Sequence, residues 1–328
     1  MTPRQPLRRA LGALFLSACI GAMTSAQAQS WPEQPVRVVV PWPAGGLVDV
    51  AARQLGQRLQ RALGQPVVIE NRLGAGGTLG ADVAAKAPPN GYTLLFSSSG
   101  LTINQALKPN LPFDLLRDLQ PIALVGHAPA VLVVSAESGV KSVKDLIALA
   151  KSQPGKLTYA SAGVGSPAHL IGELFKTREQ LSALHVPFTG APAAINEQLA
   201  GRIDFQFANA GVALPQVRSG KLRALAVTGV TRFASLPDVP TMVEAGVRDF
   251  EADQWLGLLA SSGTPRAVVE RLEKEVARIL ADTEFRAALE SAGITSAQPA
   301  SAQSFGDSMR RDLAKWRAVI TAQNIKPE

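Results

Sequence analysis

The chain has 328 residues, enough for two domains or lobes of ordinary size. Hydrophobic residues make up 46% and charged residues 18%, which excludes a chain disordered throughout. The formal charge of +7 falls to +4 once Arg4, Arg8 and Arg9 of the amino-terminal segment are removed, and the remainder holds no basic block of the kind nucleic-acid binders carry.

The first segment reads as a targeting signal. The three arginines precede an apolar run from Ala10 to Met23, and Ala26-Gln27-Ala28 supplies a small-x-small cleavage site. The expectation is a secretory signal peptide over residues 1–28, cut before Gln29 and too short to span a bilayer as a mature helix, hence a periplasmic protein. Three alternatives stand beside it. The segment could persist as a membrane anchor. Leu16-Ser17-Ala18-Cys19 fits a lipoprotein-type site, with Cys19 lipidated and the protein tethered. Arg8-Arg9 fits a twin-arginine signal, although a bare pair is weak evidence. Cys19 is the only cysteine, so the exported chain would carry neither a disulfide nor a thiol nucleophile. No other apolar run nears transmembrane length, so the exported chain should be soluble.

Beyond the signal, strand-like and helix-like segments alternate. Val36 to Val40 is a β-branched run. Val48, Ala52, Leu55, Leu59 and Leu63 recur at helical spacing, and Gly64 closes that helix. Val67 to Ile69, Thr93 to Phe96, Val131 to Val134, Leu157 to Tyr159, Leu184 to Val186, Ile203 to Phe207, Leu222 to Val227 and Trp255 to Ala260 read as further strands. Helices are expected over Leu79 to Ala87, Ser142 to Ala150, Ser166 to Lys176, Ala193 to Ala200, Val212 to Arg218, Arg266 to Ala281, Glu284 to Ala292 and Phe305 to Gln323. Ser142 and Asp145 are spaced as a capping box. Such alternation predicts an α/β fold with parallel sheets, whose ligands bind at the carboxyl ends of strands.

Three post-strand loops are therefore the candidate site, each rich in Gly or Ser and each opening a helix: Trp42-Pro43-Ala44-Gly45-Gly46, Ser97-Ser98-Ser99-Gly100, and Ser161-Ala162-Gly163-Val164-Gly165-Ser166-Pro167. Ser166 suits the cap and Pro167 the first helical position. Free backbone N–H groups at the positive end of a helix attract carboxylate or phosphate, and Gly allows close approach. Ordinary tight turns would look the same singly. No Lys or Arg lies within these loops, which suits reversible capture better than chemistry. His169 could face the cleft, although capping or packing is the plainer role; Asp49 sits in a first helical turn, where its charge suits the dipole. His185 reads as a core residue, and Trp42 or Trp255 could wall an apolar pocket or simply pack in the core.

Nucleotide binding and catalysis fail on context. Gly163-x-Gly165-x-x-Ala168 follows a strand, but the next strand ends His185-Val186-Pro187-Phe188-Thr189 with no acid for a ribose. No phosphate-loop motif and no GxSxG elbow occur, and Ser138 to Lys141 fits SxxK without the partner motifs. His127, His169 and His185 lack metal-ligand spacing, and neither metal nor cofactor is expected.

Pro41-Trp42-Pro43-Ala44-Gly45-Gly46 with Asp49, Gly64-Gln65-Pro66-Val67-Val68-Ile69-Glu70-Asn71-Arg72 with Gly74 to Gly77, Asn90 to Leu95, Lys156 to Ser161, His185 to Phe188, Gly220 to Thr228 and Leu236 to Thr241 together resemble the Bug receptors. These are the extracytoplasmic solute receptors of tripartite tricarboxylate transporters, and the resemblance covers essentially the whole exported chain. It implies a non-catalytic, monomeric, two-lobed flytrap with mixed, mostly parallel sheets flanked by helices. The first lobe would comprise residues 29–127 and 229–328, the second 128–228, with the hinge near His127 and Thr228. It implies a small carboxylate ligand and membrane permease subunits as partners; a sensor kinase is the alternative partner, and a secreted hydrolase a remoter reading. Ligand contacts would come from the three loops and Asp49, with Ser161, Gly163, Gly165, Ser166 and His169 in the third, and from Thr189, Gly190 and Ala208. This chain departs from the family at Leu47 and Val48, where Gly and Thr are usual, at Thr189, where Lys is common, and at Ala208, where Asp is common. The departures imply a ligand with an apolar or aromatic body and no ammonium group.

Overall fold

The computed structural model describes residues 31–108 and 110–326. The expected signal peptide and Cys19 lie outside the described residues. Five residues, Val36–Val40, form β1, and β-branched side chains at four of the five positions suit a strand buried on both faces. It pairs in parallel with β2 (Val67–Asn71) and β3 (Thr93–Ser98). The connections are α1 (Leu47–Leu63) and, after a short 3-10 turn, α2 (Thr78–Ala85). Then come α3 (Gly100–Leu107) and β4 (Leu119–Ala128). Neither is evident in the sequence. α3 is buried at six of its eight positions and so lacks a polar stripe, while β4 contains Pro121 and Gly126, both strand-weakening residues.

The second sheet is built from β5 (Ala130–Ser135), β6 (Thr158–Ser161), β7 (Leu184–Pro187), β8 (Phe205–Asn209) and β9 (Leu222–Val227). Between them run α4 (Val143–Ser152), α5 (Pro167–Glu179), α6 (Ala191–Leu199) and α7 (Ala210–Arg218). Ser142 caps α4 by accepting from the Asp145 N–H, as the spacing implies. The chain closes with β10 (Gln254–Ser261), α8 (Arg266–Ala281), α9 (Thr283–Ser291), β11 (Thr295–Ser296) and α10 (Ala302–Ala322).

The strands order as β11-β4-β10-β3-β1-β2 and β7-β6-β8-β5-β9. Both sheets are mixed, as the resemblance implies, whereas the alternation of strands and helices alone predicts parallel ones. In each sheet one interior strand is reversed, β10 against β3 and β4 and β5 against β8 and β9, and the edge strand β11 also runs antiparallel to β4. Both reversed strands are entered from the other sheet, not through a helical crossover. The chain leaves β4 at Ala128 and enters β5 at Ala130, then leaves β9 at Val227 and reaches β10 at Gln254. Without a crossover helix, nothing forces them parallel. Buried Thr228 joins the two crossings: its hydroxyl accepts from the Ala130 N–H (2.9 Å) and donates to Asp253 Oδ1 (3.2 Å).

From Gln34 onward the chain forms one compact unit. One apolar cluster joins Tyr159, Phe175, Phe205 and Phe207 of the second sheet and α5 to Trp316 and Val319 of α10. The first sheet has its own cluster around Leu95, Leu259 and Phe305. α10 therefore packs against both. Its anchor is Asp312, 7% exposed, which accepts from the Thr102 hydroxyl and the Trp255 indole (3.1 Å) and pairs with Lys315 (2.9 Å). Trp255 itself is core, packed edge-on against Phe305. Among the described residues no helix is long and apolar enough to cross a membrane.

Replacing Asp312 by Ala leaves the buried Trp255 indole without its acceptor and Lys315 without its counter-charge, while the Thr102 hydroxyl keeps the Ser99 carbonyl. The expected cost is about 2–4 kcal/mol, read as a lower urea midpoint at an unchanged slope. A midpoint equal to the parent's would remove Asp312 as the anchor of α10.

Candidate functional site

The first loop leaves β1 at Val40 and re-enters helix at Leu47. Asp49, 1% exposed, organises it. Its carboxylate accepts from the Gly45 N–H (2.9 Å), Asn71 Nδ2 (2.8 Å) and Arg53 Nε (2.8 Å). Burial alone would raise its pKa, but the hydrogen bonds from Arg53, Gly45 and Asn71 outweigh burial and hold it below the usual carboxylate value. Gly45 has φ +77°, a conformation that other residues adopt only with strain. Asn71 also donates to the Trp42 carbonyl (2.9 Å), so the end of β2 supports the loop from behind.

Trp42 is half-buried, with its indole N–H donating to Ser97 Oγ (3.3 Å). Its ring lies against Gly77 and Gly100; a Cβ at Gly100 would stand 2.7 Å from it. The glycine that opens α3 is thus required by the close approach of Trp42.

The third loop is held by two histidines. Ser161 Oγ and His185 Nε2 are hydrogen-bonded at 2.7 Å, and the Gly163 N–H donates to the same hydroxyl (3.1 Å). The Gly165 N–H donates to His169 Nδ1 (3.1 Å), and Ser166 Oγ caps α5 by accepting from the His169 N–H (3.3 Å). The imidazoles stack at 3.9 Å, with Tyr159 stacked on His185 at 4.9 Å. Burial pushes both histidines down to about 4; Lys176 adds to this at His169, and His169 does so at His185.

These loops frame a cavity of about 230 Å³. Five helices present their starts to it: α1 at Gly46, Leu47 and Val48; α3 at Ser98 and Gly100; α5 at Ser166, Pro167 and Ala168; α6 at Ala191; and α7 at Ala208 and Asn209. Ser166 caps α5, and at the start of α3 the Gly100 N–H donates to Ser98 Oγ (3.4 Å); α1, α6 and α7 have no side-chain cap and leave first-turn N–H groups for a ligand or water. No charged side chain lines the cavity. Its remaining polar groups are amides, Gln206 and Gln254, and Phe207 adds an apolar face. Such a site offers partial positive charge from several directions without a formal cation, and suits an anion held reversibly.

Of the residues singled out in the sequence, Trp42, Pro43, Gly46, Ser98, Ser166 and Ala208 line this cavity. Gly165 lines an adjoining one. The others stand elsewhere. Asp49 is turned to Gly45, Arg53 and Asn71; Ser97 holds Trp42; Ser99 is buried, accepting from the Thr102 hydroxyl; Ser161, Gly163 and His169 hold the third loop from behind. His185, expected in the core, belongs to the same support. Ala44 and Thr189 are exposed and do not line the cavity, and Gly190 precedes Ala191, which does line it. The start of α7 was missed as a loop, although it obeys the post-strand rule applied to the other three. Gln254 gave no local signal, because it arrives by the second crossing.

The family profile described as "Tripartite tricarboxylate transporter family receptor" matches residues 51–325. Protein BugT of Bordetella pertussis is 36% identical over 96% of this chain and 97% of its own length. The solved structure of R. palustris Rpa4515 with adipate is 32% identical, with a TM-score of 0.78 over 91% of this chain and 100% of that one. MatC (Rpa3494) from Rhodopseudomonas palustris with bound malate is also 32% identical, with a TM-score of 0.74 over 88% and 100%.

The histidine pair gives a pH signature. Both pKa values lie below the ordinary 6.5, so between pH 6.5 and about 4 the folded chain binds fewer protons than the unfolded one. The pair's contribution is complete above pH 6.5 and declines as the pH falls to about 4. Asp253, whose carboxyl burial pushes up to about 6, acts in the opposite sense. It is common to parent and variant and cancels in their difference. Urea unfolding of the parent should lose more stability across this window than the His169→Gln/His185→Gln variant; equal slopes would contradict the assignment.

Proposed function

We propose a ligand and a role for this chain, which belongs to the tripartite tricarboxylate transporter receptor family, a family of periplasmic solute-binding proteins and not of enzymes. The ligand is a small carboxylate without an ammonium group, and the role is its delivery to membrane permease subunits. The observation that carries the reading is the convergence of five helix starts on a cavity with no charged lining. A carboxylate there replaces its lost water with fixed N–H donors.

The exclusion of amino acids rests on the same lining. A buried ammonium needs a carboxylate partner, and the nearest candidate, Asp49, is committed to Gly45, Arg53 and Asn71. Leu47, Val48 and Ala208, where family members often have other residues, put apolar surface around the ligand body instead. The relatives solved with adipate and malate hold acids that likewise lack an ammonium. Capture would close the lobe of residues 29–127 and 229–328 onto that of 128–228, turning on the crossings joined by Thr228.

Calorimetric and thermal-shift titration should therefore show binding of adipate- or malate-like acids, with about 2.7 kcal/mol of added stability at a hundredfold excess over Kd. Glutamate, aspartate and the neutral diamide of the best acid should give no shift. Tight binding of glutamate or aspartate would overturn the ligand class, and binding of the diamide as tight as that of the acid would overturn the anion site itself.

A further inference from the structure

The cavity described above does not end at Trp42. A second chamber of about 500 Å³ shares Trp42, Gly100, Ala162, Ser166 and Pro167 with it. The two cavities adjoin along these residues, Trp42 among them. The second chamber is walled by Ala75 and Gly76, by the last turn of α3 and by the third loop. The walls come close there: a Cβ at Gly165 would stand 2.6 Å from the Leu107 side chain.

The chambers differ in charge. Nothing charged lines the first, whereas the second contains one cation, Lys108, at the carboxyl end of α3. Its ammonium donates to the Ala75 carbonyl (3.2 Å), and among the described residues it forms no ion pair. An ammonium has three donors, so two remain for an acceptor in the chamber. Neither chamber is lined by a carboxylate that would compete for it. The neighbouring Asn104 is held by its bond to the Gly76 carbonyl.

We propose that Lys108 forms a second carboxylate subsite, so that the preferred ligand is a diacid whose apolar spacer passes Trp42. This rests on the reading of the first chamber as a carboxylate site. One carboxylate is held by helix starts, the other by Lys108, and the spacer runs along the indole face, where a flat or extended hydrocarbon packs.

The test is calorimetry on the full chain with matched acids: hexanoate against adipate, nonanoate against azelate, benzoate against terephthalate. The parent should bind at least one diacid more tightly than its monoacid. Lys108→Met should weaken that diacid about tenfold or more, the range of a charge-assisted hydrogen bond, and leave the monoacid within about twofold. Lys108→Arg keeps the charge and should restore most of the difference. Equal weakening of monoacid and diacid, or a diacid indifferent to Lys108→Met, would overturn the subsite while leaving the carboxylate reading intact. Absence of binding by every acid would overturn both.

Discussion

A carboxylate that leaves water for a cavity without a formal cation must find fixed donors to replace its hydration. In the proposed site those donors are first-turn N–H groups of helices, and the two sheets serve to aim them. A parallel strand followed by a helix places each helix start at the same end of its sheet, and two such sheets face each other across one cleft. The reversed strands β10 and β5 bring the second crossing and Gln254 to the same place. Each helix end supplies only about 0.3–1 kcal/mol at an exposed site, so several must act together in a partly buried one. Weak, distributed donors suit a receptor that must release what it captures.

The loops carrying these donors cannot hold their own shape. Glycine gives them the conformations and close approaches they need, and also leaves them free to sample others. The remedy is buried polar support behind each loop. Asp49, Asn71 and Arg53 fix the first, the Trp42 indole and Ser97 tie the first to the second, and Ser161 with the stacked His169 and His185 fixes the third. Neutral imidazoles serve where a permanent cation would compete with the helix starts for the ligand, and burial keeps them neutral at ordinary pH.

The three loops that meet at the cavity are legible in the sequence because their pattern is local: a strand, a glycine or serine run and a helix start are read within about ten residues. The sequence also shows that Leu47, Val48 and Ala208, which line that cavity, are apolar. What it did not show depends on distance. Asp49 reads locally as a possible ligand contact, whereas in the fold Asn71, 22 residues away, donates to its carboxylate. His185 looked like core until its ring met His169 and its nitrogen met Ser161. α3 and β4 were hidden by burial on most sides and by Pro121 and Gly126. The reversed strands follow from where the chain crosses between sheets, which no periodicity encodes.

The measurement that bears most directly on this account is a crystal structure of the chain with a bound diacid. The account predicts at least one carboxylate in the chamber beside Val48 and Asn209. Its oxygens should lie about 2.7–3.1 Å from backbone N–H groups at the starts of α1, α3 or α7, with no Arg or Lys side chain on it. A ligand with every carboxylate paired to side-chain cations, or one lying outside the cleft, would contradict it.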